Sequence, residues 1–294
     1  MAVTGEGPVV YSGDLRFHGP ASRLSQEFVR VTATARPKAL LLEGTRVNLN
    51  RRDSEEDVFS RSVDLVKQNS GLVVVVQSPR DFDRIRTFWR VARETGRKLV
   101  VPLRTACLLD GLSNDPHLTD AGELWADQEH LRIHFHRAGS GAYIEQDYAR
   151  TFPCRAKRRL SGAERPCRPR KLEAAEIGRR QEEFIWVLDF WHFTELTEAC
   201  PREGNLLIYS MSESLEDPID ILKDEILQNW CARYHLHKEQ VHVSGHASGP
   251  ELRQLVEEIG PEVLILIHTE HPELFANWGP KLLVPEKVKP ILLG

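Results

Sequence analysis

The stretch LVVVVQSPRDFDRIRTFWRVARETGRKLVV, residues 72–101, contains a complete strand–helix–strand pattern. Residues 72–76 form a continuous, mostly β-branched apolar run, which is typical of a parallel strand buried on both faces. Apolar residues recur at helical spacing over 81–94, and Gly96 ends this predicted helix. The run 99–101 follows as the next strand. This order predicts a βαβ unit, and therefore an α/β fold in which helices cover a sheet.

Similar patterns lie on both sides of this unit. Apolar runs predict strands over residues 8–11, 39–42, 184–188, 206–209 and 263–267. Helical spacing predicts helices over residues 53–67, 220–234 and 250–259. Between residues 110 and 171 the chain is polar and basic, which predicts a loop-rich segment that divides it in two.

Length and composition place the chain among ordinary core-forming proteins. Its 294 residues suffice for two domains, or for one large domain with an insertion. No stretch resembles a signal peptide or could span a bilayer. The five cysteines form no CxxC pair, so neither a disulfide framework nor a zinc finger is predicted. The sequence therefore favours a cytoplasmic protein with reduced thiols.

Charge is unevenly distributed along the chain. The net charge of −4 argues against a non-specific nucleic-acid binder, which would usually be basic. Residues 155–171, however, carry one acid, Glu164, against eight bases: Arg155, Lys157, Arg158, Arg159, Arg165, Arg168, Arg170 and Lys171. This basic strip is either a solvated loop or a surface that contacts phosphates.

Three residues with metal-ligating or acid–base side chains lie at the ends of predicted strands. Asp14 follows the first strand, Glu43 follows the second, and His268 follows the last. Strand ends in layered α/β folds present side chains to a shared cleft. Taken singly, each has a structural alternative, since an Asp after Ser-Gly is commonly a turn former and a strand-end His is commonly buried and satisfied.

A fourth candidate, His246, lies in a loop of small residues that leads into a predicted helix. Its neighbours Ser244 and Ser248 would allow close approach of a phosphate, although a structural turn explains both serines equally well. The helix N-terminus that follows could face an anion.

Four motifs, in this order, resemble those of the metallo-β-lactamase superfamily and its β-CASP nucleases. YSGDL at 11–15 is similar to the motif with a zinc-bridging aspartate, and LLLEGT at 40–45 to the acidic β-CASP motif. HVSGHAS at 242–248 is similar to the histidine motif of ribonuclease J-like enzymes, and HTE at 268–270 to the last metal motif. QSPR at 77–80 also resembles the inserted β-CASP domain of prokaryotic members.

The resemblance implies a particular domain order. It implies a partial metallo-β-lactamase αββα fold with an inserted α/β β-CASP domain. Residues 1–57 and 237–294 would belong to the metallo-β-lactamase domain, the latter with the RNA-specificity motif. Residues 58–236 would form the insertion.

The resemblance also implies a zinc-dependent phosphodiester hydrolase acting on RNA, or on single-stranded DNA, with two zinc ions. Asp14 would bridge the ions, His268 would ligate one, and His246 would stand near the leaving oxygen. Glu43 would accept a hydrogen bond from His246 and orient it, while Ser244 and Ser248 would contact phosphate oxygens.

Two departures from the family pattern affect these expectations. The His-x-His-x-Asp-His motif, expected before Asp14, is absent, and His134-Phe-His136 does not replace it because Arg137-Ala138 follows. YSMSES at 209–214 stands where ribonuclease J has a glycine-rich signature. The chain is therefore expected to be the C-terminal part of such a nuclease and inactive alone. It would pair with the missing N-terminal half or with a second copy, because the strands around Val9, Leu41 and Ile265 would expose an apolar face.

Two alternatives remain open. One is a non-catalytic nucleic-acid-binding or regulatory subunit that keeps the fold. The other is a hydrolase of the same fold acting on another substrate.

Overall fold

The computed structural model describes residues 1–5, 7–136, 167–212 and 218–291. Most of the basic strip, from Arg155 to Arg165, lies outside these ranges, as do Arg137 and Ala138. The chain divides into two compact units: unit 1 comprises residues 1–54 and 244–294, and unit 2 comprises residues 55–243. The predicted α/β class is confirmed, since both units contain parallel sheets.

Unit 1 contains a five-stranded sheet in the order β1-β2-β3-β11-β12. Its strands are β1 Ala2–Thr4, β2 Gly7–Tyr11, β3 Ala39–Glu43, β11 Val263–Ile267 and β12 Lys281–Leu283. All neighbours pair in parallel except β1, which pairs antiparallel to β2. Helices α1 Ser22–Ala35 and α9 Gly249–Ile259 contribute to one core with the sheet. Leu40 and Leu42 of β3 lie in this core with Leu252 and Val256 of α9.

The opposite face of this sheet carries the apolar residues that were expected to be exposed. Ile265 is only 6 % exposed, so the expectation is wrong for this residue. Val9 and Leu41 are half-buried and pack in the same cluster as Leu283 and Ile291. The C-terminal segment thus supplies apolar contacts that the sequence pattern alone did not reveal.

Unit 2 contains a seven-stranded sheet in the order β10-β9-β4-β8-β5-β6-β7, in which every pair is parallel. Its strands are β4 Val73–Val76, β5 Lys98–Pro102, β6 Leu131–His134, β7 Lys171–Leu172, β8 Phe184–Leu188, β9 Leu206–Tyr209 and β10 His237–Gln240. Its helices are α2 Glu55–Gln68, α3 Phe82–Thr95, α4 Leu103–Leu112, α5 Thr119–Ala126, α6 Ala174–Arg179, α7 Leu196–Ala199 and α8 Pro218–Tyr234.

The predicted βαβ unit is confirmed as β4-α3-β5. Val73 and Val75 belong to one core and Val74 and Val76 to another, so β4 is buried on both faces. Asp81 begins α3 by accepting a hydrogen bond from the Arg84 amide at 3.1 Å.

The prediction of a loop-rich segment from residue 110 to 171 is wrong where the structure describes it. Helix α5 and strand β6 both lie there.

Two bases of the basic strip have structural roles. Arg170 is buried and donates to the Trp125 carbonyl oxygen at 2.7 Å. Lys171 forms an ion pair with Glu173. These two bases therefore have structural partners.

A buried ion pair joins two helices of unit 2. The Arg84 side chain of α3 is 1 % exposed, and its Nη2 lies 2.9 Å from Oε1 of Glu55 at the start of α2. Thr87 donates to the same carboxylate at 2.9 Å. The guanidinium also donates to backbone carbonyl oxygens of Ser210 and Val243. Removing either charge would leave the other one buried without its opposite charge.

No helix in the described ranges is long and apolar enough to cross a membrane. The cysteines within the same ranges form no disulfide bonds: Cys107, Cys167, Cys200 and Cys231.

Candidate active site

The loop after β2 brings Asp14 to the carboxyl edge of the unit 1 sheet. Gly13, with φ +61°, turns the chain into the left-handed region that glycine tolerates. The backbone amide of Leu15, the residue after Asp14, donates to Glu43 Oε1 at 2.7 Å. This bond joins the Asp14 loop to the end of β3.

Glu43 is fully buried and makes two hydrogen bonds. Its Oε2 lies 2.6 Å from Nδ1 of His246, while Oε1 accepts from Leu15. The predicted contact between Glu43 and His246 is therefore present. With Nδ1–H donating to the carboxylate, Nε2 is the nitrogen left for other partners. The His246 side chain is 27 % exposed, so it can reach a bound molecule.

Gly44 permits the loop that carries His268 to lie against the end of β3. A Cβ at this position would come within 2.8 Å of the Phe275 and Thr269 side chains. Thr45 adds a hydrogen bond to the His268 carbonyl oxygen at 3.3 Å. His268 itself has φ +49°, which is a strained backbone for a residue with a side chain.

Asp14 and His268 face each other with their polar atoms accessible. His268 Nδ1 lies 3.9 Å from Asp14 Oδ1, and both side chains are more than 60 % exposed. Ligand atoms of Asp14, Glu43 and His246 also lie within 4.8 Å of one another, the one such group of three in the described ranges. The structure thus brings together four residues that were predicted for the site: Asp14, Glu43, His246 and His268.

These residues fit part of a zinc site. Zinc takes imidazole nitrogen and carboxylate oxygen at about 2.0–2.2 Å, so two ligands of one ion lie within about 4 Å of each other. The spacing of Asp14 and His268 meets this condition. Both oxygens of Glu43 already accept hydrogen bonds. Glu43 therefore fits the role of orienting His246 better than that of a ligand.

The two serines occupy different environments. Ser248 is 2 % exposed and forms a capping box with Glu251 at the start of α9, its hydroxyl donating to Glu251 Oε2 at 2.7 Å. Ser244 is half-buried, and its hydroxyl accepts from the His246 amide at 3.3 Å. A phosphate contact stays a prediction for both, and Ser244 has the more accessible position.

His18 was not identified from the sequence. It lies four residues after Asp14 and is buried, and its Nε2 lies 2.8 Å from the Ser244 carbonyl oxygen. Since a carbonyl can only accept, Nε2 carries the hydrogen. His18 thus links the loop of Asp14 to the loop of His246. Because these residues are 226 positions apart, no local pattern could have revealed the contact.

Residues 233–279 match the family model of the Zn-dependent metallo-hydrolase RNA specificity domain. This stretch includes both His246 and His268. The family that this model describes is named for zinc-dependent hydrolysis and RNA specificity. A comparison with curated proteins gives no match.

One similar solved structure is a protein of unknown function from Enterococcus faecalis, with 20 % sequence identity and a TM-score of 0.65. The alignment covers 96 % of this chain and 57 % of that one, so the chain spans just over half the length of its structural relative. At this identity the likeness concerns the fold alone.

Two half-buried histidines of unit 2 give an expected pH dependence of stability. Burial and the Arg84 guanidinium lower the pKa of His242 to about 4, and burial and His192 lower the pKa of His136 to about 4. The unfolded chain binds protons at both positions near pH 6.5, while the folded chain does so only near pH 4. The free energy of unfolding should therefore fall as the pH drops between these values, by about 2 kcal/mol per histidine after allowing for solvent screening.

Urea denaturation at several pH values between 7 and 4 would measure this fall. The double variant His136→Gln, His242→Gln should show a weaker pH dependence over this range. A slope equal to that of the wild type would contradict the assignment.

Proposed function

We propose that this chain belongs to a zinc-dependent nuclease of the β-CASP type that hydrolyses phosphodiester bonds in RNA. The main support for the proposal is that the Asp14–His268 contact lies close to the hydrogen bond between buried Glu43 and His246. Both histidines lie in the stretch that matches the RNA specificity domain. Unit 2, inserted between the two segments of unit 1, would be the β-CASP domain.

The side chains of the site have distinct roles in this proposal. Asp14 and His268 would hold zinc, which when bound would polarise the scissile phosphate and lower the pKa of water so that hydroxide is available near neutral pH. His246 would present Nε2 to the leaving oxygen and transfer a proton or hydrogen bond to it. Glu43 would keep His246 in the required tautomer and orientation, because its carboxylate accepts from Nδ1.

A non-catalytic RNA-binding subunit is the second candidate. The observation in its favour is that Asp14 and His268 supply only two ligands, whereas a catalytic zinc ion usually has three from protein. A ribonuclease assay with added zinc, on a longer protein in which a segment carrying the His-x-His-x-Asp-His motif precedes this chain, separates the two candidates. Cleavage of a single-stranded RNA supports the nuclease, and binding without cleavage supports the subunit.

Metal binding tests the ligand assignment without depending on activity. Cobalt(II) titration, followed by visible absorption, should show binding to the wild type. Asp14→Asn and His268→Ala should each weaken it at least tenfold, since even residues that only support ligands cost 10- to 100-fold.

His271→Ala is a matched control. His271 is close in sequence to His268 and is also partly exposed, but it pairs with Glu273. Equal cobalt affinity in His268→Ala and His271→Ala would remove His268 from the metal site.

A further inference from the structure

Unit 2 presents a second group of polar and aromatic side chains at the carboxyl edge of its sheet. Asp189, Trp191 and His192 follow β8, an interior strand between β4 and β5. His136 follows β6, which lies on the other side of β5. Ligands of parallel α/β sheets bind outside the carboxyl ends of the strands. None of these side chains belongs to the proposed active site of unit 1.

Trp191 is 77 % exposed, although an indole is mostly buried in folded proteins. Its position is fixed by its surroundings. Its amide donates to Asp189 Oδ1 at 2.9 Å, and its ring meets the Phe190 ring edge-on at 5.3 Å. The protein therefore holds a large aromatic face in solvent on a fixed backbone.

The residue after Trp191, His192, pairs its imidazole ring with a second imidazole. His192 Nδ1 lies 2.6 Å from Asp189 Oδ1, so the same carboxylate holds both the Trp191 backbone and the His192 ring. The ring centroid of His192 lies 4.1 Å from that of His136. Nδ1 of His136 is buried and has no hydrogen-bond partner in the described part of the chain. With Nδ1 of His192 committed to Asp189, Nε2 is the nitrogen left for a ligand, and the side chain is 27 % exposed.

We propose that Trp191, His192 and His136 form a subsite for one unpaired nucleotide of single-stranded RNA. The base stacks on the indole face, and His192 Nε2 hydrogen-bonds to the sugar–phosphate backbone. Exposed aromatic rings bind single strands of any sequence because every base has a π-face. Duplex RNA, in which the bases are already stacked on each other, cannot use this surface. The inference rests on the proposed function, since RNA is the substrate class.

The test is fluorescence anisotropy of a labelled ten-nucleotide single-stranded RNA, with EDTA present to prevent cleavage. Trp191→Ala should weaken binding about 5- to 150-fold, the range for loss of one base–aromatic stack. Trp191→Phe should retain most of the affinity, because it keeps a flat ring. Leu24→Ala is the matched control, since it removes a side chain that is 64 % exposed on α1 of unit 1.

The outcomes separate the subsite from the proposed function. Equal affinity of wild type and Trp191→Ala overturns the subsite and leaves the nuclease proposal intact. Equal losses in Trp191→Ala and Trp191→Phe also overturn it, because stacking would then not be the interaction. A wild type that binds no single-stranded RNA overturns both. Circular dichroism melting confirms that each variant is folded, which is expected for a side chain that is so exposed.

Discussion

Replacing Arg84 with methionine is expected to lower the free energy of unfolding by about 3–5 kcal/mol. The reason is that Glu55 would keep a buried negative charge without its partner, since the Arg84 side chain is 1 % and the Glu55 side chain 8 % exposed. Methionine has similar length and fills the same space, so the loss reports charge rather than volume. Urea denaturation followed by circular dichroism measures the change.

Arg93→Met provides a matched control on the same helix. Arg93 pairs with Glu123 at 3.0 Å, but both side chains are about half exposed, and such pairs contribute at most about 1 kcal/mol. The double variant Arg84→Met, Glu55→Met should recover much of the lost stability, because it removes both buried charges. Similar losses in Arg84→Met and Arg93→Met would show that burial of the pair is unimportant.

The elements with strong sequence periodicity were predicted correctly. The valine run of β4 and the apolar runs of β8 and β11 gave the strand positions because interior parallel strands are buried on both faces. The sheet order was not predictable, since β8 inserts between β4 and β5 although β5 follows β4 in the chain. Such an order depends on long-range packing rather than on any local pattern.

Some elements carried too weak a pattern to predict. Helix α1 buries only Val29 and Thr32 fully, so its apolar stripe is narrow. Helix α5 has eight residues and β6 has four, and both lie in a polar stretch. Their positions are therefore decided by tertiary contacts, which the sequence alone does not display.

The candidate site could be predicted in part for a simple physical reason. Asp14, Glu43 and His268 each lie at the end of a strand, and parallel neighbours place those ends at one edge. His18 could not be predicted, because its role depends on a single backbone oxygen distant in sequence. The sequence pattern predicted which side chains lie at this sheet edge, and the structure shows which residues position them.

The largest expected effect on function is that of His246. If its Nε2 assists departure of the leaving oxygen, His246→Ala should lower kcat for RNA cleavage about 10²- to 10⁴-fold, with a smaller change in KM. Steady-state cleavage of a labelled single-stranded RNA in the presence of zinc measures both constants, on a longer protein in which a segment carrying the His-x-His-x-Asp-His motif precedes this chain. Partial recovery of kcat by added imidazole would show that the missing group acts by proton transfer or hydrogen bonding.

Glu43→Gln should lower kcat less than His246→Ala, because glutamine can still accept one hydrogen bond but cannot serve both Leu15 and His246 as a carboxylate does. The double variant should be no slower than His246→Ala alone, since Glu43 acts through that imidazole and the two effects are not additive. His271→Ala, which alters an exposed histidine paired with Glu273, should leave kcat unchanged. Multiplicative losses in the double variant would mean that Glu43 acts independently of His246, and its role would then have to be sought at the metal.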